Sequence, residues 1–517
     1  MYPIDLVRHK DPELFFALVA PIGTDVEGVC DALTESLNVF NYAVKFIRVV
    51  EELRQIKGPD SYLDKEPTNA YEKTKARMDA GDKFRSDTNL CQALAILSLT
   101  SIRRQRKEKS GNVDVPAARQ AYLLRSLKRP EEVTALRQIY ASNLIVIAVH
   151  AGRELRVKNM AQRIAKSEYS AQEVNYRDKA EELVLRDESD ERKKFGQRLR
   201  KAFALADVFL DSSNPQRLRQ DLNRFLDVLF GKPVITPTRD EVGMAYAYLA
   251  GVRSAEMGRQ VGAAICDQEG NVVATGTNEV PKAHGGCYWD GDDPDGRDWA
   301  KGYDSSDHFK SSSLGELLKT FSDKGLLSEE LEKLPTPEQM KKVKPLLKET
   351  RYMQLIEFVR AVHGEMSALT TAAARGVPVA GCTLFVTTFP CHECARHIVA
   401  SGIKRVVYIE PYAKSLAIEL HGDSIELDTA SDPNKIPFLP FIGVAPKNYS
   451  NIFAMPDRKG GDGMVIAWNA ADAKPRVSGS FWSYLKYEAE ALKKLTDEFK
   501  KMGVELSYNE DNHEGNH

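Results

Sequence analysis

Four side chains in the second half of the chain are of the types that hold and use a metal ion. His363 and Glu365 belong to the run His-Gly-Glu, and Cys391 and Cys394 belong to the run Phe-Pro-Cys-His-Glu-Cys. An imidazole and two thiolates are good zinc ligands, and a tetrahedral ion with three protein ligands keeps its fourth position for water. Zinc lowers the pKa of that water toward neutrality, and Glu365 is near enough in sequence to transfer its protons. The motif therefore predicts a catalytic site with one zinc ion per chain.

The segments around these residues predict the helices and strands that would bring the ligands together. A run rich in Ala, Met and Leu predicts a helix over 363–376, and a second helix is predicted over 391–402. A spacing of three residues puts both thiols on one side of that second helix. The N-terminus of a helix also favours thiolate over thiol. With strands predicted over 382–387 and 404–409, one set of ligands lies at the start of each helix.

The combination H-x-E followed by P-C-x-x-C is typical of zinc-dependent nucleobase deaminases. A closed, structural zinc site is the alternative, and it needs a fourth protein ligand, for which His392 and His397 are candidates on the same short segment. Cys287 and His284 could join a second metal site with a partner elsewhere, although ordinary loop residues are the simpler interpretation. The other cysteines are interpreted as core residues: Cys30, Cys91, Cys266 and Cys382.

Three stretches of the second half resemble the deoxycytidylate deaminase branch of the cytidine deaminase superfamily. They are VGAAICDQEGNVVATGTNEVP at 261–281, the His-Gly-Glu at 363–365, and FPCHECARHIVASGIKRVVYIEPY at 389–412. The Phe before Pro-Cys is typical of that branch. The resemblance implies a cytidine-deaminase-like, three-layer α/β/α domain.

The same resemblance implies a substrate and further site residues. The substrate would be a free deoxycytidine nucleotide, dCTP or dCMP, whose C4 amine is replaced by oxygen through hydrolysis. Asn278 would hold the sugar hydroxyl. Tyr412 and Lys414 would help to hold phosphate, with solvated surface as an equally good interpretation.

The chain of 517 residues is long enough for two to four domains at roughly 150 residues each. A Gly, Pro and Thr-rich stretch marks a linker over 231–239, after an N-terminal domain over 1–230. The deaminase domain is predicted over 240–502, with an insertion or lid around 282–350 that is rich in Gly and Asp at its start. The polar tail over 503–517 is expected to fray.

The N-terminal domain is expected to contain a parallel sheet with helices on its faces. Apolar runs predict strands over 14–20, 42–50 and 143–149, and helical spacing predicts a helix over 26–37. Strands that alternate with helices are typical of βαβ crossovers. Other stretches, among them LLRSLKRPEEV and FGQRLRKAFALADVFLD, resemble P-loop kinase-like proteins.

The run LVAPIGTD stands where a phosphate-binding loop would connect the first strand to the first helix. With Gly23 at the second glycine of the motif G-x-x-x-x-G-K-[ST], Leu18 replaces the first glycine, and Thr24 and Asp25 replace Lys and Ser. The principal cationic contact for phosphoryl transfer is missing. We interpret Gly23, Thr24 and Asp25 as a degenerate nucleotide-binding loop whose amides could still face an anion.

Composition excludes several classes of function. The chain has 72 basic and 74 acidic residues, so no general attraction to nucleic acid or to an anionic membrane is expected. The odd number of cysteines, seven, indicates a reducing compartment, and the charged N-terminus lacks the pattern of a secretory signal. A cytoplasmic protein without membrane spans is expected. The basic cluster SIRRQRKEKS at 101–110 could contact RNA or nucleotide phosphate, but a solvated helix face or loop is the preferred interpretation.

Taken together, the two halves resemble bacterial antiphage deoxycytidylate deaminases, in which a kinase-like module regulates nucleotide deamination. The resemblance implies depletion of deoxycytidine nucleotides during phage infection, a homo-oligomer, and a regulatory nucleotide or RNA as partner. One alternative is a deaminase that acts on cytosine or adenine in a polynucleotide. A second is a nucleotide- or RNA-sensing protein whose zinc is only structural.

Overall fold

The computed structural model describes residues 11–57, 61–63, 67–189, 194–347, 350–411, 415–454, 458–459, 462–477, 483–502 and 505–506. The chain forms two compact units. Unit 1 comprises Met1–Pro237 and Ile442–His517, and unit 2 comprises Thr238–Phe441. The first boundary lies within the predicted linker.

Unit 1 begins with alternating strands and helices. Its elements before the boundary are β1 (Leu14–Val19), α1 (Val26–Val39), β2 (Ala43–Arg48), β3 (Ile56–Lys57), α2 (Ala70–Asp87), α3 (Ala93–Ser110), β4 (Gln120–Arg125), α4 (Pro130–Tyr140), β5 (Leu144–His150), α5 (Arg153–Ser167), α6 (Arg177–Ser189), α7 (Leu199–Phe203), β6 (Val208–Asp211) and α8 (Pro215–Leu229).

Unit 2 contains a second set of elements. They are α9 (Arg239–Val252), β7 (Gly262–Cys266), β8 (Val272–Thr277), α10 (Asp298–Lys301), α11 (Ser305–Asp323), α12 (Glu329–Glu332), α13 (Thr336–Leu346), α14 (Gly364–Ala374), β9 (Thr383–Thr388), α15 (His392–Ala400), β10 (Arg405–Glu410), α16 (Ala417–His421), β11 (Ile425–Leu427) and β12 (Ile436–Pro440). Helices α10 to α13 lie within the predicted insertion.

The chain then returns to unit 1, through β13 (Gly443–Val444), α17 (Tyr449–Phe453), α18 (Ser483–Met502) and β14 (Glu505–Leu506). The deaminase domain is predicted to extend to residue 502, whereas in the structure the residues after Phe441 belong to unit 1. β13 pairs with β6, and β14 pairs with β3, so main-chain hydrogen bonds hold this stretch to unit 1.

Each unit has a sheet that is mostly parallel. In unit 1 the strand order is β13-β6-β5-β1-β4-β2, and all strands except β13 run parallel. β1 is buried along its whole length, as is typical of a central strand covered by helices on both faces. In unit 2 the order is β11-β12-β10-β9-β7-β8, with β7 antiparallel to both of its neighbours. The predicted α/β architecture is confirmed, whereas the P-loop kinase-like class of the first sheet stays a prediction.

A buried ion-pair cluster ties helix α18 to the rest of unit 1. The Arg106 side chain is fully buried and donates to Glu13 at 2.9 Å and to Glu488, on α18, at 2.6 Å. Tyr140 donates to the same Glu488 carboxylate at 2.8 Å. Removing one partner of such a cluster leaves an uncompensated charge in the core, which costs about 3–5 kcal/mol. Part of the basic cluster at 101–110 is therefore internal, contrary to the solvated face expected from sequence.

Among the described residues, every helix is too short or too polar to span a lipid bilayer.

Candidate active site

Three of the predicted metal ligands converge in unit 2. The ligand atoms of His363, Cys391 and Cys394 all lie within 4.8 Å of one another. His363 Nδ1 is 3.2 Å from Cys391 Sγ and 3.4 Å from Cys394 Sγ. Within the described part of the chain, no fourth His, Cys, Asp or Glu side chain joins this cluster. The arrangement is that of a three-ligand site.

The three ligands are positioned by the N-termini of two helices. His363 is the N-cap residue of α14, and Cys391 is the N-cap residue of α15. Cys391 Sγ accepts a hydrogen bond from the main-chain N–H of Cys394 at 3.4 Å. Hydrogen bonds from Cys394 and from His363 lower the pKa of Cys391 to about 4, so its sulfur is readily a thiolate. The same sequence feature, a cysteine at a helix start, thus provides both the position and the charge of the ligand.

Glu365 lies in the first turn of α14 and is almost completely buried, with 3% of its surface exposed. Burial raises the pKa of its carboxyl to about 7. A carboxyl group with a pKa near neutrality can both accept and donate a proton at physiological pH, which is what a proton-transferring residue must do. Glu365 thus lies next to the ligand cluster, and its proton-transfer role stays a prediction.

The segment after β8 fixes the start of α14. Main-chain hydrogen bonds join Glu279 to Val362 in both directions, at 3.3 and 3.0 Å, and Val362 immediately precedes His363. The Glu279 side chain is 1% exposed and accepts from the main-chain N–H of Ala255 at 2.8 Å. Glu279 therefore holds the zinc-ligand segment and the segment before β7 in one arrangement.

Gly276 allows β8 and α14 to approach closely. A Cβ atom at this position would lie 2.2 Å from the main-chain nitrogen of Ala368 and 2.2 Å from the carbonyl oxygen of Gly364. Because the contacts are with main-chain atoms, β8 and α14 would have to move apart, which would disturb the helix that carries Glu365 and follows His363. We expect Gly276→Ala to lower the free energy of unfolding by about 1–3 kcal/mol and to weaken zinc binding, as measured by thermal denaturation and by competition with a chelating dye.

The matched control for this substitution is Gly315→Ala in α11, where the new Cβ would meet only the flexible Met340 sulfur, at 3.4 Å. Alanine is favoured over glycine in a helix by about 1 kcal/mol, so this variant should melt at or above the native temperature. A G276A protein with native stability and native zinc affinity would contradict the close packing described here.

A cavity of about 330 Å³ opens beside the ligand cluster. The residues that line it are Glu256, Gly258, Arg259, Val261, Asn278, Ile356, Val359, Ala361, His363, Glu365, Thr388, Phe389 and Cys391. Phe389 is held in the wall by edge-on contact with Tyr408, at 5.0 Å between ring centroids. The size suits a small molecule, and two of the metal ligands, His363 and Cys391, line the cavity together with the buried carboxyl group of Glu365.

Asn278 lines this cavity, and its side chain is bonded to the main chain of the segment before β7. Its Nδ2 donates to the carbonyl of Arg259 at 2.7 Å, and its Oδ1 accepts from the N–H of Val261 at 2.6 Å. Nδ2 keeps a second hydrogen, and Oδ1 keeps a second lone pair. Contact with a sugar hydroxyl stays a prediction, while the positioning of residues 259–261 is evident from the geometry.

Sequence reasoning missed the other polar residues of the cavity. Arg259 is the only Lys or Arg among the described residues that line it, and it forms an ion pair with Glu410 at 3.5 Å. Burial raises the pKa of Glu256 on the same wall. Both residues precede the β7 run at 261–266, and neither belongs to a sequence motif that marks it as functional.

The remaining sequence candidates have different positions. Tyr412 and Lys414 lie outside the described residues. In the described part of the chain, Cys287 and His284 belong to no group of three metal-ligating side chains. Gly23, Thr24 and Asp25 lie in unit 1. His392 and His397, the candidates for a fourth ligand, are also absent from the ligand cluster formed by the described residues.

The donor set fits zinc. One imidazole nitrogen and two cysteine sulfurs are borderline and soft donors, which zinc prefers over the oxygen ligands of magnesium or calcium. All three donors lie close enough together to bind one ion. His363, Cys391 and Cys394 would hold the ion, and two of these ligands, His363 and Cys391, also line the cavity.

Residues 237–410 match the family model for the zinc-binding region of cytidine and deoxycytidylate deaminases. The chain therefore contains a zinc-binding region similar to that of these deaminases, and its cofactor is a zinc ion.

Several similar proteins are deoxycytidylate deaminases. Those of Mus musculus and Homo sapiens are 26% and 25% identical over 169 residues, which is 33% of this chain and 63% of each relative. The enzyme of Enterobacteria phage T4 is 44% identical over 54 residues, 10% of this chain and 28% of the relative. The match thus spans less than two thirds of each relative. The crystal structure of dCMP deaminase from cyanophage S-TIM5 aligns over 40% of this chain and 100% of its own, with 17% identity and a TM-score of 0.22.

Proposed function

We propose that the protein hydrolytically deaminates free deoxycytidine nucleotides, dCMP or dCTP, to the corresponding deoxyuridine nucleotides. The observation that carries this proposal is the cluster of His363, Cys391 and Cys394 beside the buried Glu365, with all but Cys394 also lining one small cavity. In the reaction, the bond between C4 and its amine breaks, water supplies the oxygen at C4, and ammonia leaves.

The side chains of the cavity would have different roles in the reaction. Zinc, when bound, acts as a Lewis acid that lowers the pKa of water. The Glu365 carboxylate accepts a proton from water, passes it to the substrate, and assists departure of the amine as ammonia. Phe389 and Ile356 give the cavity apolar walls suited to a pyrimidine ring.

Arg259 supports a nucleotide rather than a nucleoside as substrate. It supplies the only Lys or Arg side chain on the described wall of the cavity, and guanidinium groups match phosphate in geometry and charge. A cavity of about 330 Å³ with a single such cation favours a small ligand over a polynucleotide, whose backbone is usually followed by a longer basic groove.

We expect Arg259→Ala to raise the KM for dCMP about 10- to 100-fold, because a hydrogen bond to a charged group contributes about 1.5–3 kcal/mol. The kcat should change little, since Arg259 would contact the phosphate and not the reacting ring. Steady-state kinetics with dCMP and with deoxycytidine checks this, because the nucleoside lacks the phosphate and should be affected much less.

Lys404→Ala is the control, because Lys404 is exposed in the same unit and does not line the cavity. Its kinetic constants should match those of the native protein. Equal losses for dCMP and deoxycytidine in the R259A protein would argue against a phosphate contact.

The experiment that tests the proposed function is incubation of the purified protein with a panel of cytosine and adenine nucleotides and with single-stranded DNA. Mass spectrometry should detect uracil nucleotides from dCMP or dCTP, with ammonia in equal amount. Exclusive turnover of single-stranded DNA would favour the polynucleotide deaminase instead. Bound zinc without ammonia release from any substrate would favour the sensing protein with a structural zinc.

The wider role that we propose is depletion of deoxycytidine nucleotides in antiphage defence, in the cytoplasm and as a homo-oligomer. Free cysteines at all seven positions are consistent with a reducing compartment. Unit 1 would act as the regulatory module, which a nucleotide or an RNA controls. The test is infection of cells that carry the native or the E365Q protein, with measurement of dCTP and dCMP levels.

A further inference from the structure

Unit 1 contains a second cavity, of about 650 Å³, at the carboxyl ends of β1, β2 and β4. Ligands of open α/β sheets usually bind at this edge. Seven cationic and two acidic side chains line the cavity: Arg48, Lys73, Arg77, Arg125, Lys128, Arg163 and Lys166, with Glu27 and Glu51. The lining therefore carries an excess of positive charge, which the nearly neutral sum for the whole chain conceals.

Acidic neighbours compensate only part of this charge. Lys128 pairs with Asp187 at 2.9 Å, and Arg77 pairs with Glu51. Arg48 and Arg125 share Glu27, at 3.8 and 3.7 Å. On α5, Arg163 and Lys166 make no ion pair with any acid among the residues that the structure describes. Like charges in a cleft repel one another and concentrate anions from solution. The excess positive charge of the cavity therefore favours binding of an anion.

Thr24 gives an independent indication of a ligand. Its side chain lines the cavity and is 2% exposed, and its Oγ1 has no hydrogen-bond partner in the described part of the chain. A buried hydroxyl without a partner costs about 1–3 kcal/mol. A ligand with acceptor oxygens would remove that cost.

The geometry also shows where such a ligand would not bind. The Asp25 carboxylate caps α1 by accepting from the N–H of Gly28 at 3.0 Å, which places a negative charge at the helix N-terminus. Asp187 accepts from the N–H of Ile22 at 2.7 Å. Two main-chain N–H groups that could bind an anion in a phosphate-binding loop, those of Ile22 and Gly28, therefore already donate to carboxylates of the protein. The expectation that the amides of this loop face an anion is not supported at these positions.

We propose that this cavity binds a small molecule with two or more phosphate groups, held by the basic side chains of α2 and α5 and by the Thr24 hydroxyl. The cations concerned are Lys73 on α2 and Arg163 and Lys166 on α5. One phosphate monoester carries only about two negative charges, so a single group would leave much of the basic lining uncompensated. A volume of about 650 Å³ lies within the range of small-molecule sites. This inference specifies the ligand of the regulatory role proposed for unit 1, and it does not depend on the deamination proposed for unit 2.

Isothermal titration of the full-length protein with inorganic tripolyphosphate, nucleoside triphosphates and unphosphorylated nucleosides tests the proposal. The polyphosphates should bind and the nucleosides should not. Tighter binding of a nucleoside triphosphate than of tripolyphosphate identifies a nucleotide as the ligand, and equal binding identifies the phosphate chain alone. Absence of binding by every polyphosphate at millimolar concentration would overturn the proposal.

Two pairs of substitutions on α5 locate the site. Replacing Arg163 and Lys166 together by Ala should weaken polyphosphate binding at least about tenfold, because charge-assisted hydrogen bonds to phosphate are lost. Replacing Arg153 and Lys158 by Ala removes the same charge from the same helix outside the cavity, and should leave binding unchanged. If both double variants bind polyphosphate equally weakly, the loss of affinity comes from the loss of net charge alone, and the proposed site is wrong.

Thr24→Val tests the hydroxyl separately. Valine has nearly the same shape, so the variant should melt at or above the native temperature without ligand, and should bind tripolyphosphate severalfold more weakly. If a stably folded T24V protein binds tripolyphosphate with native affinity, the Thr24 hydroxyl does not contact the ligand. A T24V protein that fails to fold leaves the α5 variants as the decisive measurement.

Discussion

Glu365→Gln should abolish deamination while the protein keeps its zinc. The glutamine amide has the size of the carboxyl but cannot take up a proton from water, and loss of general acid–base catalysis typically costs about 10²- to 10⁴-fold in rate. Burial raises the pKa of Glu365 to about 7, so the native group is able to exchange protons at neutral pH. Ammonia release and elemental analysis of the same preparation measure the two properties side by side.

Glu393→Gln provides the control for this substitution. Glu393 belongs to the same motif but is partly exposed and forms an ion pair with Arg396. Surface ion pairs contribute about 0–1 kcal/mol, so both rate and zinc content should stay native. Turnover at the native rate by the E365Q protein would refute the proton-transfer role.

Cys391→Ala should remove both zinc and activity. The sulfur of Cys391 is one of the three ligands that the described residues supply to the cluster, and its lowered pKa favours the thiolate form that binds zinc. With two ligands left, zinc content should fall from about one ion per chain to nearly none. Because metal binding is coupled to folding, the melting temperature of unit 2 should also fall.

A chelation experiment separates loss of a ligand from loss of the fold. Native protein stripped of zinc should regain deamination when zinc is restored, whereas the C391A protein should not. Cys382→Ala is the matched control, because Cys382 is a buried cysteine of the same unit outside the ligand cluster. A C391A protein that retains zinc and turnover would show that the three-ligand assignment is wrong.

The ligand cluster could be predicted because its signals are local. His363 and Glu365 begin one helix, and Cys391 and Cys394 begin another, so short sequence motifs determine both the chemistry and the position of each group. The structure adds that all three ligand atoms lie within 4.8 Å of one another. The cavity wall at Arg259 was missed because an arginine before a strand has no local signal that distinguishes it from any exposed charge.

Contacts between distant parts of the chain explain the other differences. Arg106 was expected on a solvated helix face, yet it is fully buried because it pairs with Glu488, which is 382 residues away in sequence. The return of residues after Phe441 to unit 1 follows from similar long-range pairing, in which Val444 lies opposite Val208. Neither partner can be identified from helical spacing or from composition.

The most direct test of the central claim is turnover of dCMP and dCTP by the full-length protein in water enriched in ¹⁸O. We expect the uracil product to carry one labelled oxygen at C4, one ammonia to be released for each product molecule, and both signals to disappear in the E365Q protein. If the zinc-loaded protein releases no ammonia from either nucleotide, or if its product lacks the label, unit 2 is not a hydrolytic deaminase of free deoxycytidine nucleotides.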